Sequence, residues 1–532
     1  MKLGAKDAIL ALLSGIAMAI AAPLVVGALG DEPLIDTALV ELVAWFGLIP
    51  LLFAIDGLRA RSAFWAGLVA GAAYFGVVLY WITVALTVFG GLPYAAAIPI
   101  LGARVLYCAL YWGAFAAICA YVKAALGTPY TLTAPVVFTA LELARNHLLT
   151  GFPWGNIGYT QYRNLGIVQV SSLAGVYAVT FLLAFASALF YEWLAFFLRR
   201  RPSRPVTSTA LFAALIVGAF VYGSARAGSI EGRSRKAPAI TVAVLQGDID
   251  QGIKNKAGQF QGSIAGIYNR LTREADRDGV DLLIWPEAAY PVTLPRAVTS
   301  FNSDWSLLEP RALTAHALVG ASTWYLEGDR RMLRNSAFVL DPALNVLSRY
   351  DKAHLVPFGE YVPLGLPVDK FVSVIGFFSP GDGAAPAPFT RTGVEVRLGP
   401  LICYEGIFPE ISRRLAAGGA NLIVNMTNDA WYGITSAPYQ HLSMYIFRAI
   451  ETGRYLARAA NTGVSGFIDP YGRILKRSRI FTQDTLSHRL PLLDEQTVYV
   501  RAGDAFAWSC AAVAVLVLLA AFSVSRRRPR ND

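Results

Sequence analysis

The stretch VRLGPLICYE (396–405) reads as a β-strand that ends on a cysteine with carboxylates close behind it, Glu405 and Glu410. Short apolar runs of the same kind lie on both sides of it. They are ITVAVLQG (240–247), DLLIWPE (281–287), HALVGAST (316–323), NSAFVLD (335–341), NLIVNMTND (421–429) and GVSGFIDP (463–470). Helical patterns intervene near 258–277, 306–315, 408–417 and 438–459. Strands alternating with helices predict an α/β domain with a buried sheet, here over 229–505. That length is ample for a core of its own.

The flanks have another texture. The chain of 532 residues is 55% hydrophobic and only 15% charged, and its mean hydropathy is +0.47. Soluble domains carry roughly 25% charged residues, so an ordinary soluble enzyme, a disordered chain and a collagen-like chain are all excluded. A membrane span needs about 20 apolar residues. Candidate spans lie near 8–28, 34–55, 62–86, 92–122, 131–149, 168–198 and 208–226, with another at 506–524. The fifth is the least apolar, because it carries Glu142, Arg145 and His147. Three regions follow: a helical membrane region of about seven spans (1–228), the α/β domain (229–505), and a last span with a basic tail (506–532). The stretch ARAGSIEGRSRKA (226–238) reads as a linker. More membrane follows the first span, so that span is not a cleavable signal peptide.

Charge gives the orientation. Cytoplasmic loops are enriched in Lys and Arg. Lys2 and Lys6, Arg59 and Arg61, Lys123, Arg199 to Arg201 with Arg204, and Arg526 to Arg528 with Arg530 mark every second loop. The loops between are acidic at 29–35 (Asp31, Glu32), uncharged at 87–93, and nearly neutral at 150–165. Both termini are therefore expected in the cytoplasm and the 229–505 domain on the opposite side. The thirteen basic residues on that face, against Asp7, Asp56 and Asp532, account for the whole net charge of +10. The basic balance records membrane orientation and gives no ground for a nucleic-acid partner.

Of the four cysteines, Cys108, Cys119 and Cys510 fall inside candidate spans and read as small apolar residues. Cys403 has no partner cysteine in its domain, which leaves a reactive thiol or an inert buried one. In DLLIWPEAAYP, Glu287 follows a buried strand and a proline, where ligand sites of α/β sheets form. In YDKAHLVPFGEYVP, Lys352 and Glu360 bracket an apolar loop fit for the wall of a site. Lys352 taken alone would read as a solvated surface lysine. The five histidines are scattered and no HExxH occurs, so no metal is expected. No phosphate-binding or dinucleotide fingerprint stands out, so no cofactor is expected.

The order WPE, then DK-H-VPFGE-VP, then ICYE resembles the nitrilase (carbon–nitrogen hydrolase) superfamily. Spans before and after such a domain resemble the apolipoprotein N-acyltransferase family, as do FGGLP (89–93), TGFPWGNIGYTQ (150–161), QGDI (246–249), TNDAWYG (427–433), QH (440–441) and NTG (461–463). The resemblance implies an αββα sandwich beside the membrane helices, and a triad of Glu287, Lys352 and Cys403. In it Glu287 is the general base, Lys352 stabilises the oxyanion, and Cys403 is the nucleophile. Glu360 and Glu405 match further family carboxylates, which would orient Lys352 and the base. Tyr404 would position the acyl group or support the nucleophile. The implied reaction moves an acyl chain from a phospholipid, through a Cys403 thioester, to the α-amine of a diacylglyceryl-cysteine on an apolipoprotein. The implied setting is the bacterial inner membrane, with the domain in the periplasm and the protein a monomer. A membrane-anchored amidase or hydrolase of the same superfamily is the alternative. One departure stands out: Asn255 lies where the family usually has a tryptophan.

Overall fold

A computed structural model describes residues 3–23, 38–302, 307–309, 312–362 and 378–527. The acidic loop at 29–35, the start of the 34–55 span, most of the apolar loop at 355–376, and Arg528 and Arg530 lie outside the described residues.

The strands run in chain order as β1 (Ala239–Gln246), β2 (Leu282–Ile284), β3 (Tyr290–Pro295), β4 (His316–Glu327), β5 (Arg330–Leu340) and β6 (Val346–Asp351). They continue as β7 (Ala387–Arg391), β8 (Val394–Ile402), β9 (Leu422–Thr427), β10 (Leu456–Ala460), β11 (Gly466–Ile468), β12 (Ile474–Arg477) and β13 (Asp484–Pro491). One sheet has the order β13-β1-β2-β4-β5-β6, with β3 beside β4; the other has β12-β11-β10-β9-β8-β7. In both, the central pairs are parallel (β1–β2–β4 and β8–β9–β10) and the outer pairs antiparallel.

Alternation along the strands builds the layers, since successive side chains point to opposite faces. Ile240, Val242 and Val244 of β1 meet Val396, Leu398 and Ile402 of β8, and Leu422, Val424 and Met426 of β9, between the sheets. Ala243 and Leu245 point the other way, onto Ile264, Tyr268 and Leu271 of the Ala257–Arg277 helix. Leu401 and Ile423 turn outward from the second sheet, toward the helices Pro409–Ala417 and Ala437–Thr452. The result is helix, sheet, sheet, helix, the αββα sandwich that the resemblance implied.

The outer helical layer of the second sheet shares one apolar core with the membrane helices. Among the described residues, five helices are long and apolar enough to cross a bilayer: Ala60–Val78, Tyr94–Leu126, Val176–Phe197, Val206–Lys236 and Ala505–Arg527. The first expected span is a 16-residue helix, Ala5–Ile20. The described part of the second is broken into Ala38–Val43 and Ile49–Ile55. The least apolar span is the helix Tyr130–His147, and its charges are used internally. Glu142 accepts from Ile157 N (2.8 Å) and Thr180 Oγ1 (2.6 Å). Arg145 donates to the carbonyls of Phe152 (3.0 Å) and Trp154 (2.7 Å). Together they pin the GFPW loop.

The loops sort to two ends. Lys123 pairs with Asp56 at 2.7 Å and Arg201 approaches the same carboxylate at 4.0 Å, so the basic loops converge. The uncharged and neutral loops converge on the sandwich instead. Trp154 Nε1 donates to Gln440 Oε1 (2.7 Å), and Phe89 packs edge-on against Trp431.

Three sequence expectations are corrected. The expected linker at 226–238 is helical as far as Lys236, because the Val206–Lys236 helix runs straight through it to the first strand. Arg226 anchors it through Ile450 O (2.8 Å) and Pro470 O (3.1 Å), and Glu231 pairs with Arg235 one turn on, at 2.6 Å. The expected helix at 306–315 is irregular among its described residues, where the Asp276 carboxylate takes the N–H groups of Thr314 and Ala315. The helix read at 438–459 stops at Thr452, where Gly453 adopts φ +68°. Its last residues, LARAA, are the buried strand β10.

Leu282 lies in the inter-sheet core, fully buried and five residues before Glu287. Leu282→Ala is expected to cost about 2–5 kcal/mol. Thermal unfolding of the detergent-solubilised protein should show it as a lowered midpoint.

Candidate functional site

Glu287, Lys352 and Cys403 leave their strands at one end of the sandwich. Glu287 follows β2, Lys352 follows β6, and Cys403 follows β8 in the opposite sheet. The turn after β2 is tight: a Cβ at Gly320 of neighbouring β4 would lie 2.3 Å from Pro286 O. Only glycine lets β4 pass so close to the WPE segment. Cys403 itself adopts φ +52°, uncommon for a residue with a side chain. Tyr445 holds it there by donating its hydroxyl to Cys403 O at 2.6 Å.

The charges are arranged in alternation. The Lys352 ammonium donates to Glu360 Oε1 (2.9 Å) and Glu287 Oε1 (3.3 Å), and its side chain is 1% exposed. Burial pulls its pKa down, but Glu360 and Glu287 outweigh burial and hold it well above the ordinary lysine value. The Glu287 carboxylate accepts two further hydrogen bonds. Asn335 Nδ2 donates to Oε1 at 2.8 Å, and the Asn428 main-chain N–H donates to Oε2 at 2.9 Å. With donors on both oxygens, this carboxylate is fixed in orientation.

Cys403 is 7% exposed. Burial, and then the Glu287 charge, push its thiol well above the usual range, while Lys352 pulls it back. The sulfur therefore rests as a thiol and needs a base to take its proton as it reacts.

Glu405 is fully buried and ties the two sheets together. Its Oε2 accepts from Ile402 N (2.8 Å), just before the cysteine. Its Oε1 accepts from Tyr350 Oη (2.7 Å), Ala353 N (2.7 Å) and His354 N (3.1 Å), on either side of Lys352. It touches the groups flanking Lys352 rather than the ammonium itself. Glu360 does touch the ammonium, and it also accepts from Val356 N at 2.8 Å. Tyr404 packs on Phe408 (ring centroids 5.1 Å apart) and His354 (5.8 Å), with Arg104 of the membrane half in its electrostatic surroundings. Burial and Lys352 bring His354 down to about 4, so its ring is neutral at neutral pH.

Sequence reasoning did not single out several neighbours. Asn335 sits inside β5, where an asparagine carries no pattern signal. Asn428 follows β9, and its main-chain N–H holds Glu287. Beneath the cysteine, Asp429 pairs with Arg458 (2.6 Å) and His441 (3.1 Å) and accepts from Thr427 Oγ1 (2.8 Å). Burial works against its charge, but Arg458 and His441 bring its pKa down to about 2. Lys254 was also missed; its ammonium donates to Glu287 O at 3.1 Å. Asn255 accepts from Gln251 Nε2 (2.8 Å) and is exposed.

A two-sheet sandwich with carboxylate, ammonium and thiol at one end, built onto membrane helices, is a membrane-attached domain of the carbon–nitrogen hydrolase class. The carbon-nitrogen hydrolase family matches residues 241–498, and the apolipoprotein N-acyltransferase N-terminal domain family matches residues 36–189. An apolipoprotein N-acyltransferase of Geobacter metallireducens is 40% identical over 528 residues, covering 97% of this chain and 95% of its own length. Those of Caulobacter vibrioides and Haemophilus influenzae are 32% and 30% identical, covering 93% and 87% of this chain and 91% and 87% of their own lengths. Among solved structures, an amidase from a Nesterenkonia species is 20% identical, with a TM-score of 0.33, over 51% of this chain and 95% of its own. The chain belongs to the apolipoprotein N-acyltransferase family.

Removing the Lys352 ammonium takes away the charge that lowers the Cys403 pKa. Lys352→Met is expected to move the pH midpoint of Cys403 alkylation by iodoacetamide upward. Peptide mass spectrometry across a pH series reads this at Cys403 alone.

Proposed function

We propose that the protein transfers an acyl chain from a membrane phospholipid to the α-amine of an N-terminal diacylglyceryl-cysteine on an apolipoprotein, by two displacements at Cys403. The observation that carries the reading is the convergence of Glu287, Lys352 and Cys403 in a chain so closely related, over nearly its whole length, to an apolipoprotein N-acyltransferase.

Glu287 takes the thiol proton as the sulfur attacks the acyl ester carbonyl carbon. The oxyanion that develops is stabilised by the Lys352 ammonium, which is already fixed and so needs no reorganisation. The tetrahedral adduct collapses, the ester C–O bond breaks, and the lysophospholipid oxygen leaves with the proton from Glu287. A thioester remains on Cys403. The acceptor amine then attacks that carbonyl carbon and gives a proton to Glu287. The C–S bond breaks, and the sulfur takes the proton back. The raised thiol pKa fits this sequence: the proton is moved twice by Glu287, and no free thiolate need persist between turnovers.

Burial of Cys403 beside an apolar core shared with the membrane helices supports an amine, rather than water, as the second acceptor. The same setting suits substrates that are themselves anchored in a bilayer. The basic loops lie together at the end away from the sandwich, which supports placing the catalytic domain on the periplasmic side and both termini in the cytoplasm.

With Cys403→Ala the expected outcome is a folded membrane protein without acyl transfer. Incubating the wild type with phospholipid alone should add one acyl mass to Cys403, read by intact and peptide mass spectrometry. A diacylated lipopeptide should then discharge it as a triacylated product. Label released only as free fatty acid would overturn the reading.

A further inference from the structure

A second ammonium stands beside the site, and the reaction above makes no use of it. Lys254 lies on the short helix Gln251–Asn255 that follows β1. Its Nζ donates to the main-chain oxygen of Glu287 at 3.1 Å, and its electrostatic partners are Glu287 and Cys403. The residue as a whole is half-buried, with its charged end directed inward to the base of the site.

The two lysines differ in how their charges are met. Lys352 is held between two carboxylates. Lys254 has no carboxylate within ion-pair distance among the described residues, and one carbonyl is its hydrogen-bond acceptor there. Two of its three N–H donors are therefore left for something else. An enclosed ammonium without a counter-charge is unfavourable. Accordingly, burial brings Lys254 down to about 8.

The helix that carries it is fastened from below. Asn461 donates to Ile249 O (2.7 Å) and accepts from Ile249 N (3.1 Å), and its main-chain oxygen takes the N–H of Asp248 (2.9 Å). Asn461 also donates to Asn428 Oδ1 (3.0 Å), and Asn428 donates to Gln251 Oε1 (2.7 Å). Asn428 is the residue whose main chain holds Glu287. A continuous set of amide hydrogen bonds thus fixes the Lys254 helix to the same frame as the general base.

A fixed cation beside the site, with no carboxylate at ion-pair distance among the described residues, suits a substrate that carries an anion a few bonds from its reacting carbonyl. We propose that Lys254 is a binding residue for the phosphate of the acyl donor. The inference rests on the reading of the donor as a phospholipid. In a glycerophospholipid the ester carbonyl and the phosphate hang from one three-carbon unit. A carbonyl at Cys403 and a phosphate at Lys254 can therefore belong to one molecule. The phosphate would supply the missing counter-charge, and Lys254 would select donors that have one.

The test compares two donors on the full-length, detergent-solubilised protein. One is phosphatidylglycerol; the other is a p-nitrophenyl ester of the same fatty acid, which has no phosphate. Acylation of Cys403 is followed by mass spectrometry in the wild type, in Lys254→Met and in Lys254→Arg. Loss of a charge-assisted hydrogen bond corresponds to about ten- to a hundredfold. The expected result for Lys254→Met is a loss of that order in kcat/KM toward phosphatidylglycerol, carried mainly by KM. The loss toward the phosphate-free ester should be several-fold smaller, and Lys254→Arg should recover most of the difference. Equal losses with the two donors would overturn the proposal, because they would mark a purely structural lysine. Size-exclusion profiles and iodoacetamide labelling of Cys403 check that the variants are folded. Failure of the wild type itself to take acyl from phosphatidylglycerol would instead count against the donor assignment.

Discussion

A lysine ammonium enclosed between two carboxylates is the constraint around which the sandwich is organised. Lys352 meets Glu360 at 2.9 Å and Glu287 at 3.3 Å in a place where water does not reach its side chain. Buried charge is tolerated when it is paired and hydrogen-bonded on every side, and removing one partner strands the other. Each member therefore has its own scaffold. Asn335 and the Asn428 main chain hold Glu287, Val356 N holds Glu360, and Glu405 holds the Tyr350 hydroxyl before Lys352 and the main-chain N–H groups of Ala353 and His354 after it. These supports come from both sheets. In the proposed mechanism the oxyanion-stabilising group is thus set before substrate arrives, which is the condition under which electrostatic stabilisation is most effective.

The join between the two halves of the chain is as well packed as either half. The Ala437–Thr452 helix is buried along its whole length, with one side on the second sheet and another against the membrane helices. Polar groups are paired across the boundary. Glu451 accepts from Val176 N (3.0 Å), and Arg448, paired with Glu451 at 2.7 Å, donates to Tyr159 Oη (3.3 Å). A nitrilase-like domain hung on a flexible tether would show none of this. Tyr404 and Phe408 lie within this joined region, and Cys403, in the inter-sheet core, is the chain neighbour of Tyr404.

The parts legible in the sequence were those written in local chemistry. Alternating apolar runs marked the strands that carry Glu287 and Cys403, and the class of fold followed. Glu287 and Cys403 stood out because each ends or follows such a run, whereas Lys352 read alone as a surface lysine and was joined to them by the resemblance to the nitrilase order of motifs. What escaped was set by contacts distant in sequence. LARAA has helix-forming composition, yet β10 is a strand because Arg458 must reach Asp429 and its neighbours fill the inter-sheet core. The stretch after 226 looks like a linker because it is polar and contains glycine; it is helical because Arg226 is locked onto the catalytic half. Lys254 carried no pattern at all, since its significance lies in a carbonyl 33 positions away.

The uninterrupted Val206–Lys236 helix has a mechanical consequence. Its 31 residues span about 46 Å at 1.5 Å per residue, while the hydrocarbon layer of a bilayer is about 30 Å thick. The Tyr94–Leu126 helix, with 33 residues, has a similar excess. The first ends at the sandwich by its C-terminus, and the second, through Arg104, approaches Tyr404 near its N-terminus. Each of these two helices is therefore longer than the hydrocarbon layer is thick, so neither can lie wholly within it when upright, and the Val206–Lys236 helix carries its surplus turns straight into the first strand of the sandwich.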